Sequence, residues 1–333
     1  MALDLCDCEI SVQPFVTLGE VDGPAGLEAE DHGVKVDSRG RLIVWAPLAD
    51  HFRVFGPSGA LEGVVGRGGQ GPGEYVNIMG ILVGPADSLY VFDIGQSRLS
   101  VIDPGLEFAR SASLSQLTVG AGFYADDHFV VNERYLTPES VGMPLHVLDL
   151  EGNVLWSFGS TISGAYRPDL REALSNRRIS AGNPGRLWAA RQNSYTIEHW
   201  THSGELLSIL KRDVEWFPEW MKAQSSADAP PVSAVQALQV RGDTAWVLLK
   251  RAGPNWRKAV EASGRLYRVT DPEEYRKSVV EVIDLNSRRV IASAELGMNV
   301  ISFAGPGLVY RTMLGRGGVP YVVLEHLELV VNH

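Results

Sequence analysis

The side chains in this chain best suited to chemistry are cations that recur at the ends of apolar runs. Asn132-Glu133-Arg134, Arg191-Gln192-Asn193, Lys250-Arg251 and Tyr310-Arg311 each close such a run, so four successive segments offer a cation at a comparable place. Guanidinium groups hold carboxylate or phosphate through paired hydrogen bonds. Such clustering, set against a net charge of −10, points to a ligand that carries an anionic group. The candidate ligand-binding residues are Arg67, Asp93, Arg134, Arg178, Arg191, Asn193, Lys250, Arg251 and Arg311. Trp216 and Trp220, in the long connection Val214–Val235, add aromatic surface. A plainer reading stands beside this one. Surface cations are commonly solvated or paired with nearby acids such as Glu133 and Asp93, at little energetic value, and loop aromatics commonly only pin their loop.

Glu133 and His32 are the candidate acid and base, a carboxylate beside a cation and an imidazole near the start of an apolar strand. The run Gly66-Arg67-Gly68-Gly69-Gln70-Gly71 satisfies a dinucleotide-type spacing, but Pro72-Gly73 follows where a helix would have to begin. It reads instead as a tight turn that needs positive φ at several positions. Phosphate-loop, zincin and nucleophile-elbow patterns are absent from the sequence. Cys6 and Cys8 are too few for a zinc site, and their spacing predicts no structural disulfide.

The elements that would position these groups come from a repeat. Gly19–Gly59 overlays Gly66–Leu106 without gaps at a shift of 47, matching Gly33 with Gly80, Val36 with Val83, Leu42 with Leu89, Val44 with Val91, Val54 with Val101 and Pro57 with Pro104. Each unit reads as four short strands separated by turns, beginning with Val34-Lys35-Val36, Leu42–Trp45 and Phe52–Phe55. Weaker copies over Phe123–Phe158, Ile179–Leu210, Ala237–Ala294 and Ile301–Leu329 bring the count to six. A four-stranded unit of this size cannot bury both faces alone, and radial repetition solves that problem. The predicted fold is all-β: a six-bladed β-propeller of four-stranded blades over residues 1–333, with a sandwich or open solenoid as the competing architecture. The last unit lacks one strand and the run Ile10–Leu18 is unassigned, so the N-terminal strand is expected to join the last blade and close the ring. Residues 1–9 are expected to be frayed, and residues 250–277 to form an insertion in blade five with a helix starting at Asp271-Pro272-Glu273. A shorter insertion, Tyr135–Pro144, falls in blade three.

Gly66–Tyr75, Leu89-Tyr90-Val91-Phe92-Asp93, Arg98–Asp103 and Trp216–Trp220 resemble the bacterial six-bladed β-propeller proteins of the NHL-repeat-like and TolB-like group. That resemblance implies an exported or periplasmic setting and leaves the activity open, because fold does not fix chemistry. Lactonase-type propellers imply a divalent metal such as calcium at the starts of the inner strands. Here those starts offer Asp31, His32, Asn77 and Asn299, with Arg178 opposing a cation. Otherwise no cofactor is expected.

Thirty Lys and Arg against 40 Asp and Glu disfavour nucleic acid as a partner. No apolar run reaches the length of about 20 residues that spans a bilayer, and the first residues lack the pattern of a signal peptide. The chain is expected to be a monomer. Two functions follow. The first is a propeller that binds a small anionic molecule, a peptide or a glycan on the face carrying the loops between second and third strands. The second is a hydrolase, lyase or cyclase using the same mouth, with lactonase-like use of a metal as one form.

Overall fold

The computed structural model describes residues 8–28, 32–114, 122–125, 128–132, 142–159, 176–181, 186–222, 228–263 and 266–331. Its strands form six four-stranded antiparallel sheets, the blades of a six-bladed β-propeller, and one further two-stranded hairpin.

In blades one and two the second strand has no exposed face. Leu42–Trp45 and Leu89–Asp93 are buried at every position, whereas the outer strand Phe108–Ser113 alternates half-buried and exposed. The period-two geometry of a strand divides blade two's residues between two neighbours. Leu89 and Val91 pack with Ile43, Trp45 and Phe52 of blade one. Tyr90 and Phe92 turn the other way, to Phe129 and Val131 of blade three. Each large side chain so buried contributes roughly 1.5–3 kcal/mol.

The repeat extends to irregularities. Pairing between the third and fourth strands slips by one residue at Val54/Phe55, Val101/Ile102, Val147/Leu148, His199/Trp200 and Val282/Ile283, the same point in five blades. A bulge there bends and twists the outer strand. The hairpin beyond it needs a left-handed residue, supplied by Gly59, Gly152 and Gly204 in blades one, three and four, and by Leu106 and Arg288 in blades two and five.

The chain divides into two compact units. One comprises Met1–Ser11, Gly159–Ser302 and Glu328–His333, and the other Val12–Phe158 and Phe303–Leu327. Blades four and five lie in the first. Blade four consists of Arg177–Ala181, Arg186–Arg191, Thr196–Thr201 and Leu206–Lys211. Blade five consists of Ala234–Arg241, Thr244–Ala252, Arg276–Asp284 and Arg289–Leu296. They share one core cluster, in which Ala190, Tyr195 and Ile197 meet Val235, Val247, Leu249 and Val279.

Between the second and third strands of blade five the expected insertion forms the hairpin Val260–Ser263 and Leu266–Val269, then a one-turn helix over Pro272–Tyr275. The Asp271 carboxylate caps that helix, accepting from the backbone N–H groups of Glu273 and Glu274. The blade-three insertion falls largely outside the described residues.

Ring closure takes the expected form. Cys8–Leu18 is the outer strand of the sixth blade, hydrogen-bonded to Pro320–Val331, which follows Ser302–Gly305 and Leu308–Leu314. The strand starts at Cys8, within the stretch predicted to fray. Cys8 is also disulfide-bonded, which overturns the expectation drawn from the cysteine spacing. Among the described residues no helix is long and apolar enough to cross a membrane.

Deleting residues 8–18 strips the outer strand from blade six and leaves Pro320–Val331 as an unpaired edge. The truncated protein should lose its single sharp thermal transition and associate in light scattering. A monomer with an unchanged melting curve would show that closure by the N-terminal strand adds nothing.

Candidate functional site

The ends of the blade-four and blade-five strands that carry Arg191 and Lys250 hold three buried polar groupings, and most of the cations singled out by sequence turn out to be paired. Arg177 and Arg191 face each other across the first two strands of blade four. Between them stands Glu198, which accepts from Arg177 Nε at 3.0 Å, from Arg191 Nε at 2.6 Å and from Trp200 Nε1 at 3.3 Å. Arg177 and Glu198 are completely buried. Nearby, Tyr195 donates its hydroxyl to Glu281 at 2.6 Å while Arg212 pairs with the other oxygen at 3.2 Å. Burial, with the Glu281 charge in support, pushes the Tyr195 phenol well above its ordinary range, so it stays a donor.

The third grouping differs because it holds no acid. Lys250 is 5% exposed, near the end of blade five's second strand. Its ammonium donates to Ser278 Oγ at 2.8 Å and to the side-chain oxygen of Asn299. Lys250 sits directly opposite Ser278, and Ala252 opposite Arg276, so Lys250 and Arg276 lie diagonally on one face of the sheet. Burial lowers the Lys250 pKa to about 7, with the Arg276 charge adding to the effect. Burial likewise lowers Arg276, whose Nε has no hydrogen-bond partner. An ammonium has three donors, and Lys250 directs two of them to neutral oxygens.

The other predicted residues are placed as follows. Arg67 pairs with Glu74 at 2.8 Å and pins the glycine-rich turn, in which Gly66, Gly69 and Gly73 adopt positive φ as expected. Asp93 is fully buried and accepts from the backbone N–H groups of Val76, Asn77 and Gly95 and from the Gln96 amide, so it organises that turn. Arg251 pairs with Glu295, and Arg311 lies 3.8 Å from Glu325. Arg178, half-buried on blade four's first strand, has its pKa lowered by desolvation and an Nε without a partner.

Asn193 donates to the Trp220 carbonyl at 2.8 Å, and Trp220 donates its indole N–H to the Ser233 carbonyl at 2.7 Å. Trp216 packs beside Phe217 on the shared core. These contacts fasten the Val214–Val235 connection. His32 is buried immediately before blade one's first strand, Gly33–Val36. Glu133 and Arg134 lie outside the described residues, as does Asp31. Of the candidate metal donors, Asn299 gives its oxygen to the Lys250 ammonium, a neighbour that opposes a cation. Among the described residues no group of three His, Cys, Asp or Glu side chains could hold a metal ion.

Sequence reasoning missed Arg177, Glu198, Ser278 and Arg276. Glu198 carried a usable signal: a carboxylate inside the apolar run Tyr195–Trp200 has to be compensated. Ser278 and Arg276 carried none, because only strand pairing across the long insertion between Ala252 and Arg276 brings them to Lys250.

The chain matches no protein-family model and no curated protein. Solved structures do match it over nearly its whole length. A protein of Bacteroides fragilis provisionally named as exported superposes with a TM-score of 0.65 at 12% identity, over 99% of this chain and 98% of its own. A member of the DUF4221 family from Bacteroides vulgatus gives 0.66 at 12% identity, over 97% and 99%. The fold is that of the bacterial six-bladed β-propellers. Virginiamycin B lyase from Staphylococcus aureus, solved in an inactive form with quinupristin, shares it more distantly, at a TM-score of 0.51 and 10% identity over 95% and 99% of the two chains. At these identities the likeness concerns fold alone.

Two predictions follow from the buried charges. Glu198→Gln leaves Arg177 and Arg191 without their shared counter-charge and is expected to cost about 3–5 kcal/mol in urea unfolding. For Lys250, the unfolded chain keeps the ordinary pKa of 10.5 while the folded chain titrates at about 7. The unfolded state therefore holds more protons across that window, and stability rises with pH by up to ~1.4 kcal/mol per pH unit. Lys250→Met should remove this rise. Parallel slopes for the two proteins would show that the ammonium is not desolvated.

Proposed function

We propose that this propeller is a binding protein that takes the anionic group of a small molecule, peptide or glycan between Lys250 and Arg276. One observation carries the reading: this is a pair of desolvated cations, diagonal on one sheet face, with no carboxylate bound to either among the described residues. At the same strand ends Arg177, Arg191 and Arg212 each have a glutamate, while Arg178 is a single desolvated cation with no ion pair among the described residues. A carboxylate or phosphate arriving at Lys250 would supply the missing counter-charge, accept the remaining N–H of the ammonium and reach the unpartnered Nε of Arg276. Ser278 and Asn299 hold the ammonium in place, and the insertion helix at Pro272–Tyr275 leads directly into Arg276.

Anion binding at this site is coupled to a proton. Just above neutral pH the amine is largely deprotonated, and a nearby negative charge favours its charged form, so binding draws a proton from solution. Succinate and inorganic phosphate serve as probes in calorimetry at about pH 8 in two buffers of different ionisation enthalpy. The expected result is uptake of up to one proton per anion, lost in Lys250→Met along with at least tenfold in affinity. Binding without proton uptake, or unchanged in Lys250→Met, would overturn the reading.

A catalytic reading rests on the same amine, since a lysine titrating near neutrality suits a general base in a hydrolase, lyase or cyclase. Turnover of a panel of lactones and esters that rises through about pH 7 and vanishes in Lys250→Met would favour it. No turnover by the wild type would leave binding alone. We also place the protein outside the cytoplasm. The disulfide at Cys8 and the likeness to an export-associated Bacteroides protein support that setting.

A further inference from the structure

At the opposite ends of the blade-four and blade-five strands, remote from Lys250, lies a pocket of about 550 Å³, a size typical of small-molecule sites. Its floor is continuous with the protein core, because Trp188, Leu210, Val240 and Leu285 line it and also pack against the cluster shared by the two blades. On its wall Trp188 and His199 are directly opposed across two strands, their rings stacked 3.9 Å apart and 4° from parallel. Burial, and secondarily Arg186, holds His199 below its ordinary pKa, so at neutral pH the imidazole is uncharged and covers one face of the indole.

Two guanidiniums reach the same pocket. Arg186 begins blade four's second strand, and Arg288 occupies the hairpin between blade five's third and fourth strands. Neither has a carboxylate within ion-pair distance among the described residues, although Asp243 also lines the pocket. Arg288 adopts φ of +60°, where the corresponding hairpins of blades one, three and four place Gly59, Gly152 and Gly204. Holding a side-chain-bearing residue there costs on the order of 1 kcal/mol. Glycine would relieve that strain and remove a cation from the pocket.

We propose that this pocket binds a small planar molecule with one anionic group, its ring against the Trp188–His199 pair and its carboxylate or phosphate between Arg186 and Arg288. An aromatic ring gains from stacking on the outer face of this half-buried pair, and guanidiniums without an acid partner bind a carboxylate or phosphate through paired hydrogen bonds. This site is separate from Lys250 and independent of the reading given there.

The test is titration calorimetry of the full chain with naphthalene carboxylate and naphthyl phosphate, the two arms separating carboxylate from phosphate recognition. Naphthalene methanol and cyclohexane carboxylate are the controls, each lacking one feature. Binding of at least one probe is expected, at least tenfold tighter than either control. Arg288→Gly should raise the melting temperature while weakening that binding about tenfold, a combination that a purely structural role for Arg288 would not produce. Arg186→Gln should weaken it similarly without a rise in melting temperature, and every titration is repeated in Lys250→Met so that anion binding at Lys250 is removed from the signal. The proposal is overturned if neither probe binds, if a control binds equally well, or if Arg288→Gly and Arg186→Gln bind like the wild type.

Discussion

The second strands of blades one and two are buried on both faces, and the packing of the blades follows from that. In blade two, Leu89 and Val91 need one neighbour and Tyr90 and Phe92 need another. No single sheet can satisfy such a strand, and neither can a pair of sheets with solvent outside. Repetition around an axis gives every blade two covered faces, and an outer strand such as Phe108–Ser113 meets water on alternate residues. An open series would still leave its first and last blades with exposed edges. Placing Cys8–Leu18 in the sixth blade beside the last strand of the chain answers that demand.

With strand interiors committed to apolar packing, polar groups collect at strand ends, and those that enter the interior need compensation. Glu198 lies within a strand whose neighbours Ile197 and Trp200 are core residues, and it is matched by two guanidiniums and an indole N–H. Glu281 is matched by a phenol and a guanidinium. Such arrangements rarely add much stability over an apolar replacement, yet losing one partner is costly. Lys250 and Arg276 break the pattern: Lys250 has a hydroxyl and an amide oxygen, Arg276 lies over the Tyr275 ring, and neither has an ion-pair partner among the described residues.

The fold was largely legible because its signals are local and repeated. The shift of 47 that aligned Gly59 with Leu106 also aligned two left-handed hairpin residues, and the capping role of Asp271 followed from Pro272-Glu273 beside it. The site was less legible because the partner of a charge is set by register. Arg191, Arg251 and Arg311 looked alike as cations ending second strands. Whether each meets a carboxylate depends on Glu198, Glu295 and Glu325 in strands further along the blade. The aromatic connection misled for a related reason: Trp220 finds its partners in Asn193 and Ser233, which a linear reading does not bring together.

Two departures from good folding practice remain at opposite ends of the same pair of blades. A buried lysine could be replaced by methionine with a gain in stability, and a left-handed arginine by glycine with the same effect. Strain alone does not mark function, because Leu106 shares the conformation of Arg288 and is an apolar residue packed against the core. What separates Arg288 is its place beside a stacked aromatic pair and a second guanidinium that has no ion-pair partner among the described residues. What separates Lys250 from the paired arginines around it is the missing acid. In both places the local cost coincides with an unmet demand for negative charge, and a bound anion is the simplest single agent that meets it.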